Sequence, residues 1–114
     1  MSDLRSRQIE KLKLEIVKAH KALYNKIENE GWEYDWFNWS VPELKRCCLA
    51  GAYMMETGVR RSNSPIPNQL SMLANRCRFP KGIFGTENLE PPTLTALLDA
   101  LDIYQNDPEL FEYE

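Results

Sequence analysis

The sequence predicts an all-α domain of about four helices with a long N-terminal helix, and three observations carry that expectation. Apolar residues recur at spacings of three and four over most of the chain. No segment shows the period-two Val/Ile/Thr alternation that a sheet of several strands requires. No Pro or Gly interrupts the first and longest of these stretches before Gly31. At 114 residues the chain can bury one core but not two, so it reads as a single domain: residues 1–31 a long amphipathic helix, residues 32–114 a helical core with a basic middle and an acidic C-terminal segment.

The first helix is expected from about Asp3 to Glu30, where Ile9, Leu12, Ile16, Ala19, Leu23 and Ile27 form one stripe with Lys and Glu between them. Such a rod is roughly 42 Å long at about 1.5 Å per residue, so part of it should project or pair with a second copy. The stripe approximates the a/d positions of a coiled coil over nearly three heptads, and two readings stand: a helix lying on its own domain, or a homodimer element. Gly31 ends it. Trp32-Glu33-Tyr34-Asp35-Trp36-Phe37-Asn38-Trp39 then packs five aromatics into eight positions. If extended, Trp32 to Trp36 would carry rings on one side and Glu33 and Asp35 on the other. The cluster either plugs the junction between the first two helices or offers a binding surface.

Ser40-Val41-Pro42-Glu43 has the form of a capping box, so a second helix is expected from Val41 to about Thr57, closed by Gly58. Ala50, Gly51 and Ala52 would admit another helix closely. Residues 60–68 read as a loop with two prolines, a third helix as running from about Asn68 to Cys77 or Arg78, and Phe79 to Thr86 as a turn. Pro91-Pro92-Thr93 should start a fourth helix with Leu94, Leu97, Leu98 and Leu101 buried. Asp107-Pro108-Glu109 reads as the start of a short last helix carrying Leu110, Phe111 and Tyr113.

Charge is sorted along the chain. From Thr57 to Thr86 there are five cations (Arg60, Arg61, Arg76, Arg78 and Lys81) and no acid; from Glu87 to Glu114 there are eight acids and no Lys or Arg. The formal net charge of −3 hides this dipole, which implies a charged partner or a self-screened surface. The five cations are the candidate nucleic-acid or polyanion-binding residues, with Ser62, Asn63, Ser64 and Asn75 as neutral donors. The alternative is that they pair with the acidic segment.

Chemistry-bearing constellations are sparse. Cys47, Cys48 and Cys77 are odd in number, two of them adjacent, and read as reduced thiols rather than a disulfide framework. With His20 they lack the spacing of a zinc site, so no metal and no cofactor is expected. No nucleophile, base and orienting group can be assembled around the single histidine, there is no phosphate-cradling glycine loop, and catalysis is not expected. No apolar run after the first basic residues marks a secretory signal, and no run approaches the roughly 20 apolar residues that span a bilayer, so the expected compartment is the cytoplasm, without a membrane partner.

Leu73-Ala74, Phe79 to Phe84, and Glu90 to Ile103 are together similar in rhythm to the second half of a Cro/repressor-type helix-turn-helix domain. There an alanine-bearing helix and a recognition helix are followed by a proline-started helix ending in an A-L-x-I/V pattern, here Ala100-Leu101-Asp102-Ile103. Where that family places its recognition helix, this chain has Phe79-Pro80-Lys81-Gly82-Ile83-Phe84-Gly85, whose Pro and Gly shorten or abolish a helix. The resemblance thus implies a helical scaffold whose DNA-reading face is altered and which serves another partner.

The reading that follows is a non-catalytic regulatory, adaptor or inhibitor protein, of a kind that suits a phage or mobile element. It would bind a protein or nucleoprotein through complementary charge and through Trp32, Trp36, Phe37, Trp39, Phe111 and Tyr113. The alternative is a nucleic-acid-binding regulator on a degenerate helix-turn-helix-like scaffold, using Arg60, Arg61, Arg76, Arg78 and Lys81 on phosphates.

Overall fold

The computed structural model describes residues 2–78 and 90–111. The first helix, α1, occupies Ser2–Asn29. Its apolar stripe faces the chain's own core: Leu12, Ile16, Ala19 and Leu23 are fully buried. Contacts run along the whole helix, from Arg5, which donates to the Gln105 carbonyl at 3.2 Å, to Lys26, whose ammonium stands 4.5 Å from the Trp32 ring. The helix is therefore the spine of the domain rather than a projecting rod, and the longest dimension of the molecule, 44 Å, is close to the length of α1. Gly31, at φ 78, ends it in the left-handed conformation that favours glycine, and the Trp32 amide reaches back to the Lys26 carbonyl at 2.9 Å.

The all-α expectation needs correction between residues 33 and 47, where the chain forms a small three-stranded sheet. Strands β1 (Glu33–Tyr34), β2 (Ser40–Val41) and β3 (Arg46–Cys47) lie in the order β1-β3-β2. β1 runs parallel to β3, with Glu33 opposite Arg46 and Tyr34 opposite Cys47; β2 runs antiparallel to it, with Ser40 opposite Cys47 and Val41 opposite Arg46. The capping box at Ser40 does not start a helix. Pro42–Leu44 makes a single 3-10 turn, and Lys45, at φ 53, turns the chain back. The reason is backbone satisfaction: packed partly against the core, the aromatic segment needs partners for its inward amides and carbonyls, and residues 45–48 supply them. The Glu33 and Asp35 amides donate to the Lys45 and Cys47 carbonyls at 2.8 Å each, and the Cys48 amide donates to the Trp39 carbonyl at 3.1 Å.

The second helix, α2, accordingly begins later than expected, at Leu49–Thr57. Its N-cap is Cys48, whose thiol accepts from the Gly51 amide at 3.4 Å, and its C-cap is Gly58 at φ 77, as the sequence indicated. Gly51 admits not a helix but the Trp39 carbonyl group: a Cβ there would overlap the Trp39 carbonyl oxygen and lie 2.6 Å from its carbon. One buried polar contact ties α2 to α1, the Tyr53 hydroxyl donating to the Glu15 carboxylate at 2.6 Å. Burial and then this carboxylate push the Tyr53 phenol's pKa up.

Helix α3 spans Ile66–Arg78, with Leu70, Leu73 and Ala74 inward as expected and Pro67 in the first turn, where it costs no helical bond. Helix α4, Leu94–Tyr104, starts at Thr93, whose hydroxyl accepts from the Ala96 amide at 3.1 Å, and buries Leu97, Ala100 and Leu101. It lies antiparallel to α1: Arg5 reaches Gln105 at one end, and at the other the Tyr24 hydroxyl stands 3.3 and 3.2 Å from the Pro91 and Pro92 carbonyls. The short last helix expected at Asp107 is instead a turn, in which the Asp107 carboxylate accepts from the Glu109 amide at 3.0 Å. Leu110 and Phe111 then enter the core, and Gln69 takes the Leu110 carbonyl at 2.8 Å, so tertiary anchoring replaces a further helical turn. The expected turn from Phe79 to Thr86 lies outside the described residues. Among the described residues no helix is long and apolar enough to cross a membrane.

Candidate functional site

The aromatic segment supplies the most distinctive surface, and a single carboxylate organises it. Asp35, directly after β1, is 8% exposed. It accepts from the Phe37 amide at 3.0 Å, the Asn38 amide at 3.1 Å and the Asn38 side chain at 3.0 Å. Arg46 of β3 lies 3.6 Å away. Burial acts to raise the Asp35 pKa, but the Asn38 and Phe37 hydrogen bonds, helped by Arg46, outweigh it and hold the carboxyl below its usual value. This Asx-type turn fixes the backbone at the tip between β1 and β2, and the tip carries Phe37, 70% exposed.

Leu44, 63% exposed, lies on the 3-10 turn at the other end of β2, while Trp36 packs edge-on against Phe37, ring centroids 5.4 Å apart. A recess of about 460 Å³ opens beside them, lined by Trp32, Tyr34, Trp36, Asp35 and Arg46. The expected separation of rings from acids is not realised, since exposed Glu33 and buried Asp35 both line the same recess as the rings. Trp32 and Trp39 are half-buried, and each lies under a cation: Lys26 over Trp32, and Arg61 over Trp39 at 4.4 Å. The segment is thus both junction and surface, its outer tryptophans packed inward and its centre presented outward.

The remaining partner-binding candidates sit differently. Phe111 is a core residue, 3% exposed, with the Arg5 guanidinium 4.7 Å from its ring, which corrects its assignment to a binding surface. Tyr113 lies outside the described residues.

Among the five basic candidates, those whose side chains are described have different surroundings. Arg76 binds Asp107 at 2.8 Å and Glu109 at 3.2 Å and stands 5.1 Å from the Tyr104 ring, so for this residue the pairing with the acidic segment is realised. Arg60 and Arg61 occupy the exposed α2–α3 loop, where a depression of about 230 Å³ is bordered by Arg61, Ser62, Asn63, Ser64 and Asn68. Arg78 is the last residue of α3, its side chain outside what is described, as is Lys81.

A depression of about 910 Å³ surrounds the second half of α1 and includes Lys18, His20, Tyr24, Glu28 and Glu56. At about 100° per residue these α1 side chains point to widely different sides of the helix, so polar groups do not converge in it. His20 stacks on Tyr24 at 4.3 Å, and burial, partly opposed by Glu28, lowers its pKa. The thiols are poorly ionised: burial pushes Cys47 up to about 12 and Cys77 up to about 11, and raises Cys48 as well. Among the described residues no group of three or more His, Cys, Asp or Glu side chains is placed to hold a metal ion.

Asp35 escaped the sequence reading as the organiser of this surface, although the Asp-x-x-Asn spacing at Asp35 and Asn38 signals it. Leu44, exposed on the 3-10 turn, is hidden in the sequence by its expected place inside a helix. No protein-family model, no curated protein and no solved structure matches this chain.

Proposed function

We propose that this chain is a non-catalytic binding protein, an adaptor or inhibitor in character, that anchors a protein partner on the Trp36–Phe37 tip. The observation that carries the reading is the clamped presentation of Phe37. A large aromatic side chain is 70% exposed while three hydrogen bonds to Asp35 fix the turn that displays it. Exposed aromatics on rigid backbone supply contact area at low ordering cost, which is how interface anchors work. Flanking charge, Glu33 and Glu43 beside Lys45 and Arg46, provides the polar rim that orients a partner.

The test is affinity capture from a lysate of the native host with the wild-type chain and with Phe37→Ala, each with and without nuclease. The reading expects a protein that survives nuclease and is lost with Phe37→Ala while the helical circular-dichroism signal is unchanged. Equal capture by both chains would refute it. A second reading, phosphate binding, is supported by the polar depression beside Arg61. It expects the captured material to be nucleic acid and to depend on Arg60 and Arg61, with a salt slope that flattens by about one unit per phosphate contact removed.

A further inference from the structure

Beside the tip, the recess of about 460 Å³ mixes rings with charge. Trp32, Tyr34 and Trp36 contribute the rings, and Glu33, Asp35 and Glu90 the carboxylates. β1 is two residues long and the Asp35 turn bends the chain directly after it, so residues from both faces of the strand border one hollow. Its volume suits the end of a long side chain rather than a whole peptide segment.

The sign of the charge follows once the resident pairs are accounted for. Among the described residues Arg46 is the one cation that lines the recess, and it stands 3.6 Å from Asp35. Lys26, over the Trp32 ring at 4.5 Å, lies 3.6 Å from Glu30. Both resident cations therefore have carboxylates of their own. Glu33 shares in neither pair: it is exposed, and no Lys, Arg or His stands within ion-pair distance of it among the described residues. The described lining thus holds three carboxylates against one guanidinium. An entering anion would meet Glu33 and Glu90, and an uncharged chain would gain nothing from them. An organic cation is attracted by the negative faces of tryptophan and tyrosine rings and finds its counter-charge in Glu33. The chain makes the same kind of contact twice with its own cations, Lys26 on Trp32 and Arg61 on Trp39 at 4.4 Å.

We propose that the recess receives the cationic end of a lysine or arginine side chain of the protein partner, held against the aromatic lining with Glu33 as its counter-charge. The inference rests on the reading of the Trp36–Phe37 tip as the anchor and adds what the partner carries: an apolar site for Phe37 and, beside it, a basic residue. Salt weakens the contact because Glu33 is exposed.

The test is a proton–nitrogen NMR titration of the full chain, read at the three tryptophan indoles, to tens of millimolar probe. Nα-acetyl-arginine methylamide and Nα-acetyl-lysine methylamide are the cationic probes; the norleucine and glutamate analogues and inorganic phosphate are the controls. The proposal expects a cationic probe to shift the Trp32 and Trp36 indoles but not that of Trp39, with no such shift from the controls. Affinity should fall in high salt, and about two- to fivefold in Glu33→Gln, a surface change whose folding circular dichroism verifies. Silence with both cationic probes overturns the proposal, as does unchanged affinity in Glu33→Gln. Equal shifts from the norleucine analogue make the recess a plain apolar hollow, and shifts from phosphate or the glutamate analogue make Arg46 the ligand; both overturn it. Glu33→Lys should also lower the amount of partner captured from lysate, and unchanged capture overturns the assignment to the partner. The titration needs no partner, so the two readings fail separately. Capture that depends on Phe37 without probe binding overturns only the cation site, and equal capture by wild type and Phe37→Ala refutes the tip whatever the titration shows.

Discussion

Replacing Asp35 with alanine removes the acceptor of three hydrogen bonds at 3.0, 3.1 and 3.0 Å and leaves Arg46 without its carboxylate at 3.6 Å. Hydrogen bonds to a charged group contribute about 1.5–3 kcal/mol each when the deserted donor stays dry. Phe37 and Asn38 are exposed, so their amides regain water, and Arg46 is itself partly solvated. The expected cost is therefore nearer that of losing one good cap together with a weak ion pair, about 2–3 kcal/mol in total. With a urea m-value of about 1–2 kcal/mol per molar for a chain of this size, the unfolding midpoint should fall by about 1–2 M. Asp35→Asn keeps an acceptor but not the charge and should lie between wild type and alanine. The pH dependence has a definite sign: a carboxyl held below its usual pKa adds stability that is complete above the unfolded value of about 3.9 and is lost as pH falls through the folded value. Wild type should therefore lose a component of stability below about pH 4 that Asp35→Ala lacks. A midpoint within about 0.3 M of wild type, with the same acid profile, would refute the view that this carboxylate organises the tip.

Three further predictions follow from packing and charge. Gly51→Ala must displace the Trp39 carbonyl, which is backbone of the sheet connection, and should cost about 3 kcal/mol or abolish folding, read by thermal unfolding; a loss under about 1 kcal/mol would show that the connection yields easily. Arg76→Ala breaks pairs with Asp107 and Glu109 that are partly solvated, so it should cost about 1 kcal/mol and less in high salt, and a double-mutant cycle with Asp107→Asn should recover most of that as coupling energy. Because burial raises all three thiol pKa values, Cys47, Cys48 and Cys77 should alkylate slowly with iodoacetamide at pH 8 in the folded protein and rapidly in denaturant; fast labelling of the folded chain would contradict their placement.

The sequence by itself determined the elements whose pattern is long or whose ends are chemically marked. The stripe of α1 over nearly three heptads, the Gly31 and Gly58 stops, the Leu70 and Leu73 face of α3 and the Thr93 start of α4 are all local signals, and the structure bears them out. Tertiary structure decided what local signals left open. Ser40-Val41-Pro42-Glu43 has the form of a helix start, yet the partly buried backbone of the aromatic segment required partners, and residues 40–47 became strands and a turn to supply them. The dense aromatics announced a surface or a plug without saying which. Trp39 covered by Arg61 and Phe37 held outward by Asp35 differ only through contacts with β3, α2 and the following loop, which no local pattern encodes. Sorted charge was legible, but its pairing was not: Arg76 and Asp107 are 31 residues apart and meet because α3 and α4 pack, and strand pairing and ion pairing alike depend on which segments a shared core brings within 3 Å.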